Sequence, residues 1–209
     1  QPSITFAQWL PQKLWSELFH MGYFSYYPLI ALTVLAPLFT NRNQFSRITF
    51  VVLASFFLYY LIYLFLPVAG PQYYFHAVGT EVIQSGHFPQ LGNYFRYHTE
   101  LAPSPGPEGF FRELVESTQQ SGERPTAAFP SSHVGMSTVL MMLLWRIKRP
   151  LFVCAFPFYF FLCCATVYIQ AHYLVDVFGG FVTAVIFYAL TNWTYTRWRT
   201  AKDGARITI

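Results

Sequence analysis

The stretches Phe129-Pro130-Ser131-Ser132-His133 and Ala171-His172-Tyr173-Leu174-Val175-Asp176 show how this chain is organised. Each stands where a long apolar segment meets more polar sequence. The first opens the apolar run 134–145, and the second lies between the apolar segments 151–171 and 177–193. Ionisable side chains are costly to place at membrane depth, so their presence at the ends of such segments indicates a functional site.

The overall composition is that of a membrane protein. Of the 209 residues, 54% are hydrophobic and only 11% are charged, whereas soluble proteins carry roughly 25% charged residues. The formal net charge of +4 would suit a nucleic-acid partner. The basic residues are confined to short loops and the C-terminus, however, so we expect membrane lipids and no nucleic acid as partners. We predict one membrane-embedded domain over residues 1–209.

Five segments approach or exceed the length that a bilayer requires: 23–40, 48–68, 131–147, 151–172 and 174–193. Residues 1–22 are apolar but interrupted by Pro11, and Trp9 and Trp15 are typical anchors at a membrane interface. We therefore predict an all-α, polytopic membrane helical bundle of about five spans, preceded by an N-terminal interfacial helix over residues 1–22.

The basic loops predict the orientation of these spans, because cytoplasmic loops are enriched in Lys and Arg. The loops 41–47 and 146–149 and the basic tail 194–209 fall on one side if the spans alternate. That side is expected to be cytoplasmic, which makes 69–130 an extracytoplasmic loop carrying pocket residues. Within this loop, 109–120 is expected to be a short helix, either a surface helix or a lid over the site.

The three cysteines, Cys154, Cys163 and Cys164, all lie inside one apolar segment and lack the spacing of metal ligands. We interpret them as small buried hydrophobic residues. No metal and no cofactor is expected. The candidates for chemistry are therefore histidines and carboxylates.

His133 is predicted in the first turn of the span 131–147, with Ser131 or Ser132 as its N-cap. A helix N-terminus offers free N–H groups to a phosphate, and both serines would add their own N–H groups and hydroxyls. His172 and Asp176 are four residues apart, so on a helix the carboxylate would orient the imidazole. A histidine oriented in this way can be a nucleophile or a general base. The alternative is a polar pair that only satisfies itself within the bilayer.

The motifs at 129–133 and 168–176 resemble the second and third signatures of the type 2 phosphatidic acid phosphatase superfamily. The resemblance covers residues 23–193 and is nearest to the inositol phosphorylceramide synthase-like branch, which the sequences at 23–27 and 67–71 also resemble. It implies a helical bundle like those of acid phosphatases and vanadium haloperoxidases. It also implies metal-independent phosphoryl transfer in which His172 is the nucleophile, Asp176 positions it, and His133 is the acid and then the base.

The chain departs from the family pattern at two basic positions. Thr166 stands six residues before the histidine of the third signature, where the family usually has arginine. The lysine of the first signature is also missing, since Ser117 lies seven residues before Arg124-Pro125. Other cations must then meet the phosphate, and we expect Arg124 first and Arg96 next. Gln72, with Tyr73 and Tyr74, either lines the pocket or belongs to an interfacial group of polar and aromatic residues.

Three functions are compatible with these patterns. The first is an integral membrane lipid-phosphate phosphatase that cleaves a phosphomonoester or pyrophosphate through a phosphohistidine, with its active site on the extracytoplasmic face. The second is a phosphotransferase that moves a lipid head group onto an alcohol, as in the inositol phosphorylceramide synthase type. The third is a non-enzymatic membrane protein with a degenerate site, which the missing basic residues would explain.

Overall fold

The computed structural model describes residues 1–207, and the side chains of residues 1–202. Residues 1–207 contain α-helices, two short 3-10 turns and no strand. In chain order the helices are α1 (Pro2–Trp9), α2 (Lys13–Phe24), α3 (Tyr26–Thr40), α4 (Phe45–Phe65), α5 (Pro71–Val78), α6 (Thr80–Gln84), α7 (Phe110–Gly122), α8 (Ser132–Ile147), α9 (Arg149–Tyr168) and α10 (Leu174–Ile207). The prediction of an all-helical bundle is confirmed.

Four helical stretches among the described residues are long and apolar enough to cross a membrane: Lys13–Thr40, Arg42–Phe65, Arg149–Tyr168 and Leu174–Lys202. The predicted span 131–147 is helical, but α8 has only 16 residues. At 1.5 Å per residue α8 is about 24 Å long, shorter than the roughly 30 Å hydrocarbon core. The bundle therefore has four long helices and one short one.

The short helix α8 lies at the centre of the bundle. It packs against α3, α4, α9 and α10. Val139, Leu140 and Leu144 on α8 have almost no exposed surface and belong to the largest cluster of buried apolar side chains. Because α8 is surrounded by protein, its length does not have to match the bilayer. Its N-terminus, which carries His133, is held inside the fold.

The predicted N-terminal helix over residues 1–22 is divided into two helices, α1 and α2. Helix α2 runs through to Phe24, and the Ser25 N–H donates to the carbonyl of Met21 at 2.9 Å, so the chain continues almost directly into α3. Gly22 lets α2 lie close to α9, since a Cβ there would come within 2.6 Å of the Phe161 backbone. Residues 13–40 therefore form one candidate span that packs into the bundle. Only α1 remains a short separate helix, and Trp9 at its end is 75% exposed.

The long segment between α4 and α8 is partly helical. It contains α5, α6 and α7, and backbone hydrogen bonds tie its two ends together, from Gly70 N to Pro125 O at 2.9 Å and from Ala128 N to Val68 O at 3.0 Å. The predicted helix at 109–120 is confirmed as α7, which packs on α2. Val115 and Gln119 of α7 are buried, whereas Phe110 is exposed.

The basic loops lie at the opposite end of the bundle from both histidines. Arg47, at the start of α4, donates from Nε to Oδ1 of Asn192 on α10 at 2.9 Å. Arg146, at the end of α8, stacks over the ring of Tyr188, also on α10. Residues 188 and 192 lie about four and five turns along α10 from its N-terminus, which is beside His172. The tail predicted at 194–209 continues α10 as far as Ile207, and its remaining two residues lie outside the described part.

Candidate active site

His133 occupies the first turn of α8, as the sequence predicts. Ser131 is the N-cap, and its hydroxyl oxygen accepts a hydrogen bond from the Val134 N–H at 3.3 Å. The Ser131 N–H donates to the backbone carbonyl of Asp176 at 3.0 Å, which joins the start of α8 to the start of α10. This link fixes the distance between the two sequence motifs.

Two glycines allow α8 and α10 to come together beside the site. A Cβ at Gly180 would lie 2.7 Å from the Ser131 carbonyl and 3.2 Å from the Gly135 nitrogen, and a Cβ at Gly135 would overlap the Tyr59 hydroxyl. The absence of side chains at both positions permits the close crossing. It places the first turns of α8 and α10 side by side.

His172 is not on a helix, which corrects the prediction that it shares a helical face with Asp176. Helix α9 ends at Tyr168, and α10 begins only at Leu174. Gln170 adopts a left-handed conformation (φ 62°), which commonly ends a helix and turns the chain. The His172 N–H then donates to the Thr166 carbonyl at 2.9 Å, so the last turn of α9 anchors the histidine.

The structure brings the two histidine rings into direct contact, although 39 residues separate them in the chain. Nε2 of His172 lies 3.5 Å from Nδ1 of His133, and the ring centroids are 5.7 Å apart at 60°. His172 is 4% exposed. Two imidazoles from different elements therefore meet in one largely buried place.

A backbone carbonyl determines which nitrogen of His172 carries the proton. Nδ1 of His172 lies 2.8 Å from the carbonyl oxygen of Ala128, which can only accept a hydrogen bond. Nδ1 is thus the protonated nitrogen of the neutral ring, and Nε2 presents its lone pair to His133. A neutral imidazole with a free Nε2 is the form required of a nucleophile.

Asp176 is buried and has a different main contact from the predicted one. Its Oδ2 accepts a hydrogen bond from the Tyr173 N–H at 2.8 Å, the carboxylate half of a capping box at the start of α10. The same oxygen is 3.7 Å from Nδ1 of His172, within ion-pair range but too long for a hydrogen bond. The pair is therefore electrostatic, while Ala128 orients the ring.

Sequence reasoning missed a polar network on the other side of His133. Glu123, directly after α7, accepts hydrogen bonds from the Tyr23 hydroxyl, from Gln72 Nε2 at 2.7 Å and from Gln119 Nε2 at 3.3 Å. The Tyr23 oxygen in turn lies 3.4 Å from Nδ1 of His133, and the two rings are 4.6 Å apart. The position of Glu123 beside Arg124-Pro125 was the only signal in the sequence.

Both histidines, Gln72 and Glu123 line one cavity of about 540 Å³. Its polar end contains both histidines, Glu123 and Arg124. Its other side lies between α3 and α4, where it is lined by Tyr26, Tyr27, Ile30, Phe56, Tyr60 and Leu64. Tyr60 and Leu64 are 62% and 73% exposed on the outer face of the bundle. The cavity therefore joins a polar site to a lateral, apolar opening.

A second groove, of about 780 Å³, is larger but almost wholly apolar. It lies among α1, α9 and α10 and includes neither histidine. We assign the chemistry to the smaller cavity because only that one combines ionisable groups with a buried polar end.

Only some of the predicted binding residues line this cavity. Arg124, Gln72 and Ser132 line the cavity, whereas Ser131 and Arg96 do not. The side chain of Arg124 is exposed and makes no salt bridge or hydrogen bond within the described residues. Arg96 lies on the exposed 3-10 turn Tyr94–Arg96.

The N-terminus of α8 is less open than the sequence suggests. The Ser131 hydroxyl is occupied by its own helix, and the Ser132 N–H donates to the Tyr63 hydroxyl at 3.0 Å. Tyr63 in turn donates to the Pro130 carbonyl at 2.7 Å. A phosphate at this end of the helix would compete with protein partners for these donors.

Two tyrosines outside the candidate spans border the site and stay neutral. Burial, and then the nearby Glu123 carboxylate, raise the pKa of Tyr73 to about 12. Burial, and then Asp176, also raise the pKa of Tyr173 well above its usual value. Both side chains are therefore hydrogen-bonding phenols, and neither adds negative charge near a phosphate.

Comparison with known proteins identifies a family for this chain. A family model described as the PAP2 superfamily matches residues 2–190, most of the chain. No curated protein and no solved structure gives a significant match.

Proposed function

This chain belongs to the PAP2 superfamily, and from this membership we propose that it is an integral membrane phosphatase that cleaves a lipid phosphomonoester or pyrophosphate through a phosphohistidine. One observation carries the proposal: the unprotonated Nε2 of His172 lies 3.5 Å from Nδ1 of His133 in a buried site. Superfamily membership by itself supports only phosphatase or phosphotransferase chemistry.

In the first step, the Nε2 lone pair of His172 attacks phosphorus. The bond between phosphorus and the lipid oxygen breaks, its electron pair stays on that oxygen, and a proton from His133 neutralises it as an alcohol or phosphate leaves. Phosphorylation at Nε2 with the proton retained on Nδ1 makes the ring cationic. The Ala128 carbonyl at 2.8 Å and the Asp176 carboxylate at 3.7 Å then stabilise that charge.

In the second step, His133 takes a proton from water, and the water oxygen attacks phosphorus. The bond between phosphorus and nitrogen breaks, and its electron pair returns to Nε2 of His172. Reacting atoms in a productive complex are about 3–3.5 Å apart. At that distance from Nε2 of His172, the position that phosphorus would take is occupied by Nδ1 of His133. The His133 ring must therefore shift aside when the phosphoryl group binds.

Arg124 is our candidate for the main phosphate ligand. Phosphoryl transfer depends on positioning and on stabilising charge at the phosphoryl oxygens. Arg124 lines the cavity that contains both histidines, and its guanidinium is not engaged elsewhere among the described side chains. It takes over a role that Thr166 cannot fill, since the Thr166 hydroxyl donates to the Cys163 carbonyl at 2.8 Å.

The shape of the cavity supports the proposal of a lipid substrate. A head group at the histidines would leave its hydrocarbon chain directed between α3 and α4, where Tyr60 and Leu64 are exposed. In a membrane, that face is in contact with lipid. The substrate would then enter sideways from the bilayer.

We place the site on the extracytoplasmic face, because the basic loops lie at the other end of the bundle. A cysteine introduced at exposed Ser85, in a background with the three native cysteines replaced by serine, should react with a membrane-impermeant thiol reagent on intact cells. Labelling only after permeabilisation would overturn this orientation.

A second candidate is transfer of the phosphoryl head group to an alcohol, as in the inositol phosphorylceramide synthase-like branch. The observation that favours it is the group of hydrogen-bonding side chains beside the histidines, Glu123, Gln72 and Tyr73. Such groups bind hydroxyl-bearing acceptors, and water needs none of them. In this case the alcohol oxygen replaces water in the second step.

The test uses the purified chain in detergent with phosphatidate or a polyprenyl pyrophosphate, each with and without a polyol or lipid alcohol. Phosphate release without an acceptor supports hydrolysis, and strict dependence on an acceptor supports transfer. His172→Ala should abolish both turnover and acid-labile labelling by a ³²P-substrate, whereas His87→Ala, on an exposed turn outside the cavity, should retain both. Activity or labelling that persists in His172→Ala would falsify the proposed mechanism.

A further inference from the structure

Glu123 is an unexpected neighbour for a phosphate site. A carboxylate next to an incoming phosphate raises the cost of binding it, because the like charges repel. Glu123 nevertheless lines the same cavity as both histidines. Its two oxygens are already engaged by Tyr23, Gln72 and Gln119, so it is held as an acceptor inside the protein.

Tyr23 connects this carboxylate to His133. The single hydroxyl proton of Tyr23 is donated to Glu123, because an ionised carboxylate can only accept. The Tyr23 oxygen therefore presents a lone pair to Nδ1 of His133, 3.4 Å away. The second neighbour of Nδ1 is Nε2 of His172, which is also an acceptor because its ring proton is on the Ala128 side.

Both neighbours of His133 Nδ1 thus require a proton on that nitrogen. We propose that Glu123, acting through Tyr23, is a positioning residue that keeps His133 protonated on Nδ1 and directed at the reacting group. This inference rests on the proposed function, in which His133 is the general acid. Glu123 would then be the anionic partner of His133, the proposed acid, just as Asp176 is the anionic partner of His172, the proposed nucleophile.

Several other ionisable groups surround His133. They are Tyr26 of α3, Tyr63 of α4, Arg124 after α7, His172 after α9 and Asp176 of α10. Asp176 reaches His133 only through His172, and Arg124 is a cation. Among the described side chains, Glu123 is therefore the anion that is linked to His133 by hydrogen bonds through one intervening residue, Tyr23.

The experiment is the pH dependence of kcat for phosphate release from phosphatidate. A general acid must be protonated to act, and a nearby anion favours its protonated form. Glu123→Gln keeps the size of the side chain but removes the charge, so the loss of activity at high pH should begin about one pH unit lower than in the wild type. Glu113→Gln, which removes an exposed carboxylate from α7, the helix that precedes Glu123, should leave both the profile and the basal activity unchanged.

Tyr23→Phe provides an independent test, because it removes the hydroxyl that links Glu123 to His133 and retains the aromatic ring. It should shift the profile in the same direction, and the double variant should shift it no further than the larger single shift. Tyr23→Phe also serves as the test if Glu123→Gln is not monodisperse by size exclusion.

Two results would overturn the inference. If Glu123→Gln or Tyr23→Phe lowers kcat equally at every pH, Glu123 is structural, and the proposed function stands as long as His172→Ala is inactive and unlabelled. If the wild type shows neither turnover nor labelling, the proposed function fails first, and the inference fails with it.

Discussion

Nδ1 of His172 donates a hydrogen bond to the Ala128 carbonyl at 2.8 Å, a shorter contact than its 3.7 Å approach to Asp176. The backbone leading into the first motif therefore orients the histidine of the second. Asp176 contributes negative charge to the ring and a cap to α10. These two contributions of Asp176 can be separated by mutation.

Asp176→Asn should lower kcat substantially with little loss of stability. Asparagine can still accept a hydrogen bond from the Tyr173 N–H, so the cap survives. The charge that would stabilise the proposed phosphorylated His172 is lost. We expect a decrease in kcat on the order of tenfold to a hundredfold. Asp176→Ala should lower kcat similarly and also reduce stability by about 1 kcal/mol. Equal melting temperatures for the two variants in detergent would contradict the capping role.

Arg124→Gln should raise KM for a lipid phosphate more than it lowers kcat, by roughly tenfold, because a single exposed charge-assisted contact is lost. The effect of Arg96→Gln should be smaller, since Arg96 does not line the cavity. Lys148→Gln, at the opposite end of the bundle, is the control for loss of a positive charge. Kinetics over a range of substrate concentrations measure all three. A larger effect at Arg96 than at Arg124 would reverse our assignment.

Glu17→Ala should loosen α7. Glu17 lies on α2, and its two carboxylate oxygens accept the N–H groups of Phe111 at 3.1 Å and Arg112 at 3.3 Å, at the start of α7. The N-cap of α7, Gly109, offers no side-chain cap of its own. Losing this external cap should cost about 1 kcal/mol locally.

Limited proteolysis measures this loosening. Cleavage within 110–122 should be several times faster in Glu17→Ala, and activity should fall because α7 leads into Glu123. Glu108→Ala removes an exposed carboxylate near the same helix start and is the matched control. Identical cleavage rates in the two variants would show that Glu17 does not hold α7.

Gly135→Ala should destabilise the crossing of α8 with α10. The new methyl would overlap the Tyr59 hydroxyl, which is hydrogen bonded to Thr183 at 2.8 Å, and lie 3.1 Å from the Gly180 carbonyl. Overpacking of this kind costs about 1–3 kcal/mol, or a fall in melting temperature on the order of 5 °C. Gly122→Ala has nothing within 4 Å of its new Cβ and should not lower the melting temperature.

The helices and the two motifs could be predicted because hydropathy and capping are local properties. Ser131 caps α8 as expected, and His133 lies in the first turn. The position of His172 could not be predicted from periodicity. Residues 151–172 contain no glycine, and Pro157 lies inside α9, so the sequence does not mark the point where Gln170 turns the chain.

The network around Glu123 depends on tertiary contacts instead. Tyr23 is 100 residues away from Glu123 in the chain, and Gln72 is 51 residues away. A lone glutamate in a long polar segment resembles any solvated residue until α7 packs on α2. The central position of α8 could not be predicted either. A short apolar segment is compatible both with a buried central helix and with a membrane span.

The last prediction concerns the lateral opening between α3 and α4. Leu64 lines the site cavity and is 73% exposed, so Leu64→Trp adds bulk at the opening without disturbing a packed core. A blocked opening should hinder a long-chain substrate more than a short-chain one, because the polar end of the cavity is unchanged. We expect kcat/KM for a long-chain phosphatidate to fall on the order of tenfold, with little change for a short-chain phosphatidate. Phe39→Trp, at an 88% exposed position near the other end of α3, should leave the ratio of the two substrates unaltered. Equal losses for both chain lengths in Leu64→Trp would mean that the substrate reaches the histidines by another route.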